Sequence, residues 1–175
     1  DVYKRQLLAV LESREAFLVR FPSWEDVQST TMSTEPRRIA LHGTPDTSAA
    51  CFTPDGLWIL TGSVKGVIRL VDGQDGRLVH DLPCQIGASM IREIVLDEQS
   101  RHVAVNMNDR TVRTLRVTYN DGCEMPTGLT PTHKFQDLVS RTPWSGIGFS
   151  RGAEYVIGGA APVSYTHLRA HETDS

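Results

Sequence analysis

Residues 48–82 read SAACFTPDGLWILTGSVKGVIRLVDGQDGRLVHDL, and their punctuation decides the fold. SAACF is a short strand candidate, followed by the turn TPDG, in which Pro54 sets φ and Gly56 allows a positive φ. LWILTG is nearly all apolar, as expected of a strand covered on both faces. SVKG turns again, VIRLVD supplies a third strand, GQDG turns, and RLVHDL supplies a fourth. Four short strands joined by tight turns make an antiparallel meander.

The unit recurs. IREIVLDEQSRHVAVNMNDRTVRTLRV (91–117) repeats strand, acidic turn, strand, Asn-Asp turn, strand; WSGIGFSRGAEYVIGGA (144–160) repeats strand, turn, strand. Aligning the second strands sets Leu57 against His102 and Glu154, offsets of 45 and 52 residues. The first matches the period of a β-propeller blade. The second requires an insertion, expected as a loop over 118–133, with KFQDLV (134–139) as the following outer strand. The expected fold is therefore all-β: a partial WD40-type β-propeller, with about two complete blades over 48–162 and pieces of flanking blades. A β-sandwich also has short strands and frequent turns and stays open as the alternative. Residues 7–47 read as the end of a preceding blade and a polar connector, with an edge strand near Ile39–Leu41. A blade buries its faces only against neighbours, so an internal piece of a larger ring is expected.

Both ends read as foreign. DVYKRQ (1–6) back-translates to a stretch whose reverse complement contains codons for Val-Ser-Tyr-Thr-His, which is residues 163–167. The pair resembles a transposase adapter used in sequencing libraries, and residues 1–6 and 163–175 are expected to be its translation. His167 and His171, which helical spacing would offer to zinc, are accordingly not expected to be ligands. Together the two end segments contribute three basic and three acidic residues, so the net charge of −3 is unchanged without them.

That charge argues against a large basic face for nucleic acid. Cys51, Cys84 and Cys123 contain no C-x-x-C pair and fit a reducing compartment. No apolar run has the length of a membrane helix. GSVKG (62–66) lacks the Gly-Lys-Ser/Thr ending of a P-loop, a G-x-S-x-G elbow is absent, and His42, His80, His102 and His133 share no ligand spacing. A propeller hydrolase would need acids or a metal cluster around the channel, and these blades supply none. Asp72 and Asp109 follow or sit in turns, where capping work is expected; Cys51, Phe52 and Trp58 are expected to pack.

Two stretches suit partner contact. In KFQDLVSRTPW (134–144), Arg141 and Trp144 precede a strand, and an arginine beside a tryptophan suits an interface anchor. The competing reading has Trp144 packed and Arg141 solvated. In NDRTVRTLR (108–116), Arg110 and Arg116 share one strand face and Arg113 points to the other; a solvated face competes here.

The run QDLVSRTPW (136–144), with Phe149-Ser150 and Glu154-Tyr155-Val156 beyond it, resembles the retinoblastoma-binding protein 5 family of WD-repeat proteins in its fungal form. The family run is Gln-Asp-Leu-Val-Asn-Arg-Thr-Pro-Trp. LTGSVKGVIRLV (60–71) and NMNDRTVRTL (106–115) are similar to two further family stretches, so the resemblance covers roughly 48–160. The family's aromatic-Asp pair is replaced by Val71-Asp72, and its Asp-Gly turn by Gly152-Ala153. The resemblance implies a nuclear, non-catalytic scaffold in a COMPASS-type histone H3 lysine-4 methyltransferase complex. Its implied partners are a SET-domain methyltransferase and other subunits, with the nucleosome or histone as a further candidate. No cofactor is expected of this chain, because S-adenosylmethionine would bind the partner enzyme. Arg110, Arg141 and Trp144 are the candidate contacts. A WD-repeat scaffold of another nuclear assembly, such as an RNA-processing complex, is the alternative.

Overall fold

The computed structural model describes residues 6–10, 16–20, 37–44, 46–119, 125–136, 142–160 and 164–169. The described residues form fourteen strands and no helix. A first sheet joins β1 (Gln6–Val10), β2 (Ala16–Arg20) and β3 (Arg37–Ala40). The second joins β4 (Thr47–Phe52), β5 (Trp58–Ser63), β6 (Val67–Asp72) and β7 (Leu78–Gln85) in chain order. The third does the same with β8 (Ile91–Leu96), β9 (His102–Met107), β10 (Thr111–Tyr119) and β11 (Pro126–Gln136). The fourth holds β12 (Trp144–Phe149), β13 (Tyr155–Ala160) and β14 (Ser164–Arg169). All pairings are antiparallel. Successive sheets meet through their first strands, β4 against β8 and β8 against β12, as propeller blades do. The described sheets do not close a ring.

Alternation explains the packing. Leu60, Ile68, Leu70 and Leu82 of the second sheet meet Ile91, Val103, Val105, Met107 and Leu115 of the third. Ile59 and Val71, on the opposite face, join Ala16 and Leu41 in a smaller cluster. Each apolar strand thus serves two seams, which is why LWILTG carries almost no polar residue.

Two expectations are corrected. The insertion is not a loop over 118–133: β10 runs to Tyr119, and β11 begins at Pro126 and pairs along it to Gln136. Prolines are tolerated because β11 is an edge strand, and Pro131 follows a register shift that leaves Thr132 as the extra residue. Of the expected outer strand KFQDLV, 134–136 belong to β11, while 137–139 lie outside the described residues. The second strands also align one residue away from Leu57 and Glu154. The backbone closures Thr53–Trp58, Asp97–His102 and Ser150–Tyr155 are equivalent, setting Trp58 against His102 and Tyr155. Residues 21–36, most of the expected connector, lie outside the described residues, as do Asp121 and Cys123. Backbone of Ser164–Arg169, within the segment read as adapter, pairs with β13.

The same closures expose a strain. The fourth turn residue has positive φ in all three repeats: Gly56 at 71°, Ser100 at 56° and Ala153 at 57°. Only the first is glycine, which enters this region without a β-carbon penalty. Ala153→Gly is expected to raise the stability of the full-length protein by about 1 kcal/mol. Denaturant titration would read this as a higher midpoint at unchanged slope.

Candidate functional site

Antiparallel strands place alternate turns on opposite faces of the blades. The β5–β6 and β9–β10 turns lie on one face with the connector that leads into β8. Backbone contacts join them: Ile86 N–H donates to Gly66 O at 3.2 Å, and Asn108 N–H donates to Met90 O at 2.9 Å.

Arg110 lies in the β9–β10 turn on this face. It closes the turn Met107–Arg110 with φ 66°, the position that Gly66 occupies at φ 75° in the second sheet. An arginine in left-handed backbone is uncommon and must be held there. Part of the restraint is Trp144, whose indole Nε1–H donates to Arg110 O at 3.1 Å. Asp109 secures the turn from inside: its Oδ1 accepts Thr111 N–H at 3.1 Å, and its Oδ2 lies 3.7 Å from Arg113 Nη2. Asp72 likewise accepts the N–H groups of Gln74 and Asp75, at 2.6 and 3.0 Å. Both aspartates do the turn-capping work expected of them.

The candidate contacts separate. Arg110 is partly exposed. Trp144 is 3% exposed and packs with Ala104, Val112 and Val156, so its ring faces a seam and not solvent. An exposed tryptophan anchor is therefore replaced by a buried one that positions the Arg110 turn. Arg141 lies outside the described residues.

Side chains stitch the innermost strands across the seams. Ser48 Oγ donates to Ile91 O at 2.6 Å. Glu93 Oε2 accepts Ile147 N–H at 3.0 Å, and Asn106 Nδ2 donates to Trp144 O at 3.0 Å. β4, β8 and β12 each carry a register shift near their start, leaving Ser48, Arg92 and Ser145 as the extra residues. Bulges re-aim side chains. Arg92, which sequence reading passed over, is thereby displayed in solvent near the Arg110 turn. Nothing in IREIVL announces the bulge.

No cluster of His, Cys, Asp or Glu able to hold a metal is found among the described residues. Cys51 packs against the large cluster, and burial pushes its thiol up to about 12, which keeps it protonated and unreactive at neutral pH. No helix among the described residues is long and apolar enough to cross a membrane.

No family model matches the chain. Individual proteins do. The chain is 32% identical over 111 residues to the Set1 complex component swd1 of Schizosaccharomyces pombe, covering 63% of this chain and 26% of that one. It is 25% identical to the COMPASS component SWD1 of Saccharomyces cerevisiae over all of this chain and 42% of that one. A retinoblastoma-binding protein 5 homolog of Drosophila melanogaster is 29% identical over 119 residues. The β-propeller domain of Myceliophteria thermophila Cps50 (Swd1) superposes with a TM-score of 0.75 at 25% identity, covering 96% of this chain and 54% of that one. The chain is similar in sequence to Swd1 and retinoblastoma-binding protein 5 homologues and in fold to a Swd1 propeller.

That superposition identifies the four sheets as blades of a partial β-propeller and removes the β-sandwich alternative. The chain spans between 26% and 42% of the length of the two fungal family members. The Arg110 turn and Trp144, at the start of β12, are thus brought together across more than thirty residues of sequence.

Proposed function

We propose that this chain is the propeller part of a nuclear, non-catalytic scaffold subunit in a histone H3 lysine-4 methyltransferase complex. The observation that carries the reading is the similarity to proteins named as Set1 complex and COMPASS components, together with the matching propeller. The scaffold acts by binding: it fixes the orientation and active conformation of a SET-domain methyltransferase and contributes no reacting group. The face built around Arg110 meets the other subunits or the nucleosome. Arg110 and Arg141 supply charge, and Trp144 holds the Arg110 turn in place. Residues 1–6 and 163–175 are translated adapter, a reading supported by the inverted repeat their codons form and tested by sequencing the transcript across both ends.

Tagged full-length protein is expected to bring down activity that methylates histone H3 at lysine 4. Arg110→Glu is expected to weaken that assembly, or its hold on nucleosomes, about tenfold, with thermal stability held near the native value. Recovery of RNA-processing factors without methyltransferase would favour the other scaffold reading. Undiminished assembly and nucleosome binding by Arg110→Glu would remove Arg110 from the contact face.

A further inference from the structure

Four threonines of the chain precede a proline: Thr44, Thr53, Thr130 and Thr142. The fold sorts them. Thr44 and Thr53 are 7% and 2% exposed, and their hydroxyls are engaged within turns. Thr44 Oγ1 donates to Leu41 O at 3.3 Å, and Thr53 Oγ1 donates to Trp58 O at 3.1 Å. Thr130 and Thr142 are exposed. Of these two, Thr130 sits in a strand pair directly opposite a cation.

Thr130 belongs to β11, the edge strand of the third sheet, and Arg116 of β10 is its register partner. Partners across an antiparallel pair share a face and hold their β-carbons about 5 Å apart. Arg116 in turn pairs with His102 of β9, so Thr130, Arg116 and His102 form one row across three strands. The row lies on the side that faces the fourth sheet, because Arg116 and His102 line the same narrow slot as Phe149 and Ala153. Arg116 is exposed and has no carboxylate partner among the described residues. Asp97, at the inner end of the row, is taken by the His102 ring and by the N–H groups of Arg101 and His102. The register shift at Thr132 puts three consecutive exposed residues, Thr130, Pro131 and Thr132, on the edge. The Thr132 hydroxyl is shared with Thr114 at 2.7 Å, whereas that of Thr130 makes no hydrogen bond among the described residues.

We propose that Thr130 is a phosphorylation site for a proline-directed protein kinase, and that Arg116 holds the phosphate. Pro131 has no N–H, which suits a kinase groove that offers no acceptor at the position after the modified residue. An edge strand presents extended backbone with one unpaired side, the form in which a segment is laid along a partner's groove. In the transfer, Thr130 Oγ1 forms a bond to the γ-phosphorus of ATP. The bond from that phosphorus to the β–γ bridging oxygen breaks, ADP leaves, and the hydroxyl proton passes to the kinase's catalytic carboxylate. The product sets a charge of about −2 opposite a guanidinium, whose fork matches phosphate oxygens. Arg110 adjoins the other end of β10, so the modification recharges one rim of the blade and leaves the Arg110 turn intact. The inference stands independently of the scaffold reading.

The test treats full-length protein with Mg-ATP and, in separate reactions, a cyclin-dependent and a mitogen-activated protein kinase. Mass spectrometry maps the product. Phosphate is expected on Thr130 with at least one of the two enzymes, and Thr130→Ala is expected to lose that phosphopeptide and no other. A synthetic peptide of residues 126–136 reports on the segment without its fold. A peptide that is modified while Thr130 of the folded protein is not overturns the site, and so does failure of both kinases on both substrates. The role of Arg116 is read by phosphorus NMR titration of the modified protein. The phosphate is expected to take up its proton at a pH below the ordinary value of about 6, because the guanidinium favours the dianion. Arg116→Gln is expected to return the midpoint to about 6, and Arg116→Lys, which keeps the charge, to hold it lower. Positions 116 and 130 are both exposed, so these variants are expected to keep the native melting temperature. Equal titration in the native protein and Arg116→Gln overturns the assignment of the phosphate to Arg116.

Discussion

Trp144→Ala is expected to destabilise the full-length protein by about 3–5 kcal/mol. The indole is 3% exposed and sits among Ala104, Val112 and Val156. A β-carbon added to Gly158 would lie 2.7 Å from its Cε3, so the ring is pressed directly onto the β13 backbone. Truncation leaves a cavity on a seam that has few other large side chains, and the surrounding strands cannot collapse into it without breaking their pairing. It also removes the donor to Arg110 O and with it the restraint on a left-handed arginine. Trp144→Phe separates the two effects. It keeps a ring in the seam but loses the N–H and part of the bicycle, at an expected cost of about 1–2 kcal/mol. Denaturant unfolding measures both variants. A loss under about 1 kcal/mol for Trp144→Ala would show that the indole does not hold the seam.

Gly66→Ala is expected to cost about 3 kcal/mol or more, from backbone strain and overpacking together. Its φ is +75°, and the new β-carbon would be driven into the carbonyl of Gly87, with Ser89 O a further 3.1 Å neighbour. These are backbone atoms of the connector between the second and third sheets, and Ile86 N–H already bonds Gly66 O. The connector must move for alanine to fit. Gly56→Ala is the control: φ is +71°, and nothing lies within 4 Å of the added carbon. It is expected to cost only the backbone term, about 1 kcal/mol. The difference between the two variants, read from their unfolding midpoints, isolates the collision. Equal costs would mean that conformation alone selects glycine at position 66. Arg110, at the equivalent turn position with φ 66°, shows that a side chain can occupy this turn position.

The meander, its turns and the blade spacing were legible because each rests on neighbours in sequence. TPDG and SVKG declare turns through proline, glycine and capping side chains, and apolar alternation declares strands. Asp72 and Asp109 were readable as turn caps for the same reason. The alignment of repeats slipped by one residue because turn length, unlike turn existence, is weakly marked. The strand over Pro126–Gln136 was hidden by its own composition: two prolines and a glycine read as loop until an edge position and a register shift accommodate them.

The sequence by itself determined an all-β blade repeat and the resemblance to retinoblastoma-binding protein 5, since both are written in local turn chemistry and in runs such as QDLVSRTPW. Only the tertiary structure decided which candidate residues face outward. Trp144 is buried because positions 104, 112 and 156 come from other strands to cover it. Arg92 is displayed because a bulge turns it out. Each of these outcomes depends on pairs tens of residues apart, as in the bonds from Asn106 to Trp144 and from Glu93 to Ile147. Burial is a property of such pairs, set when one blade meets the next, and no window of a single strand contains it.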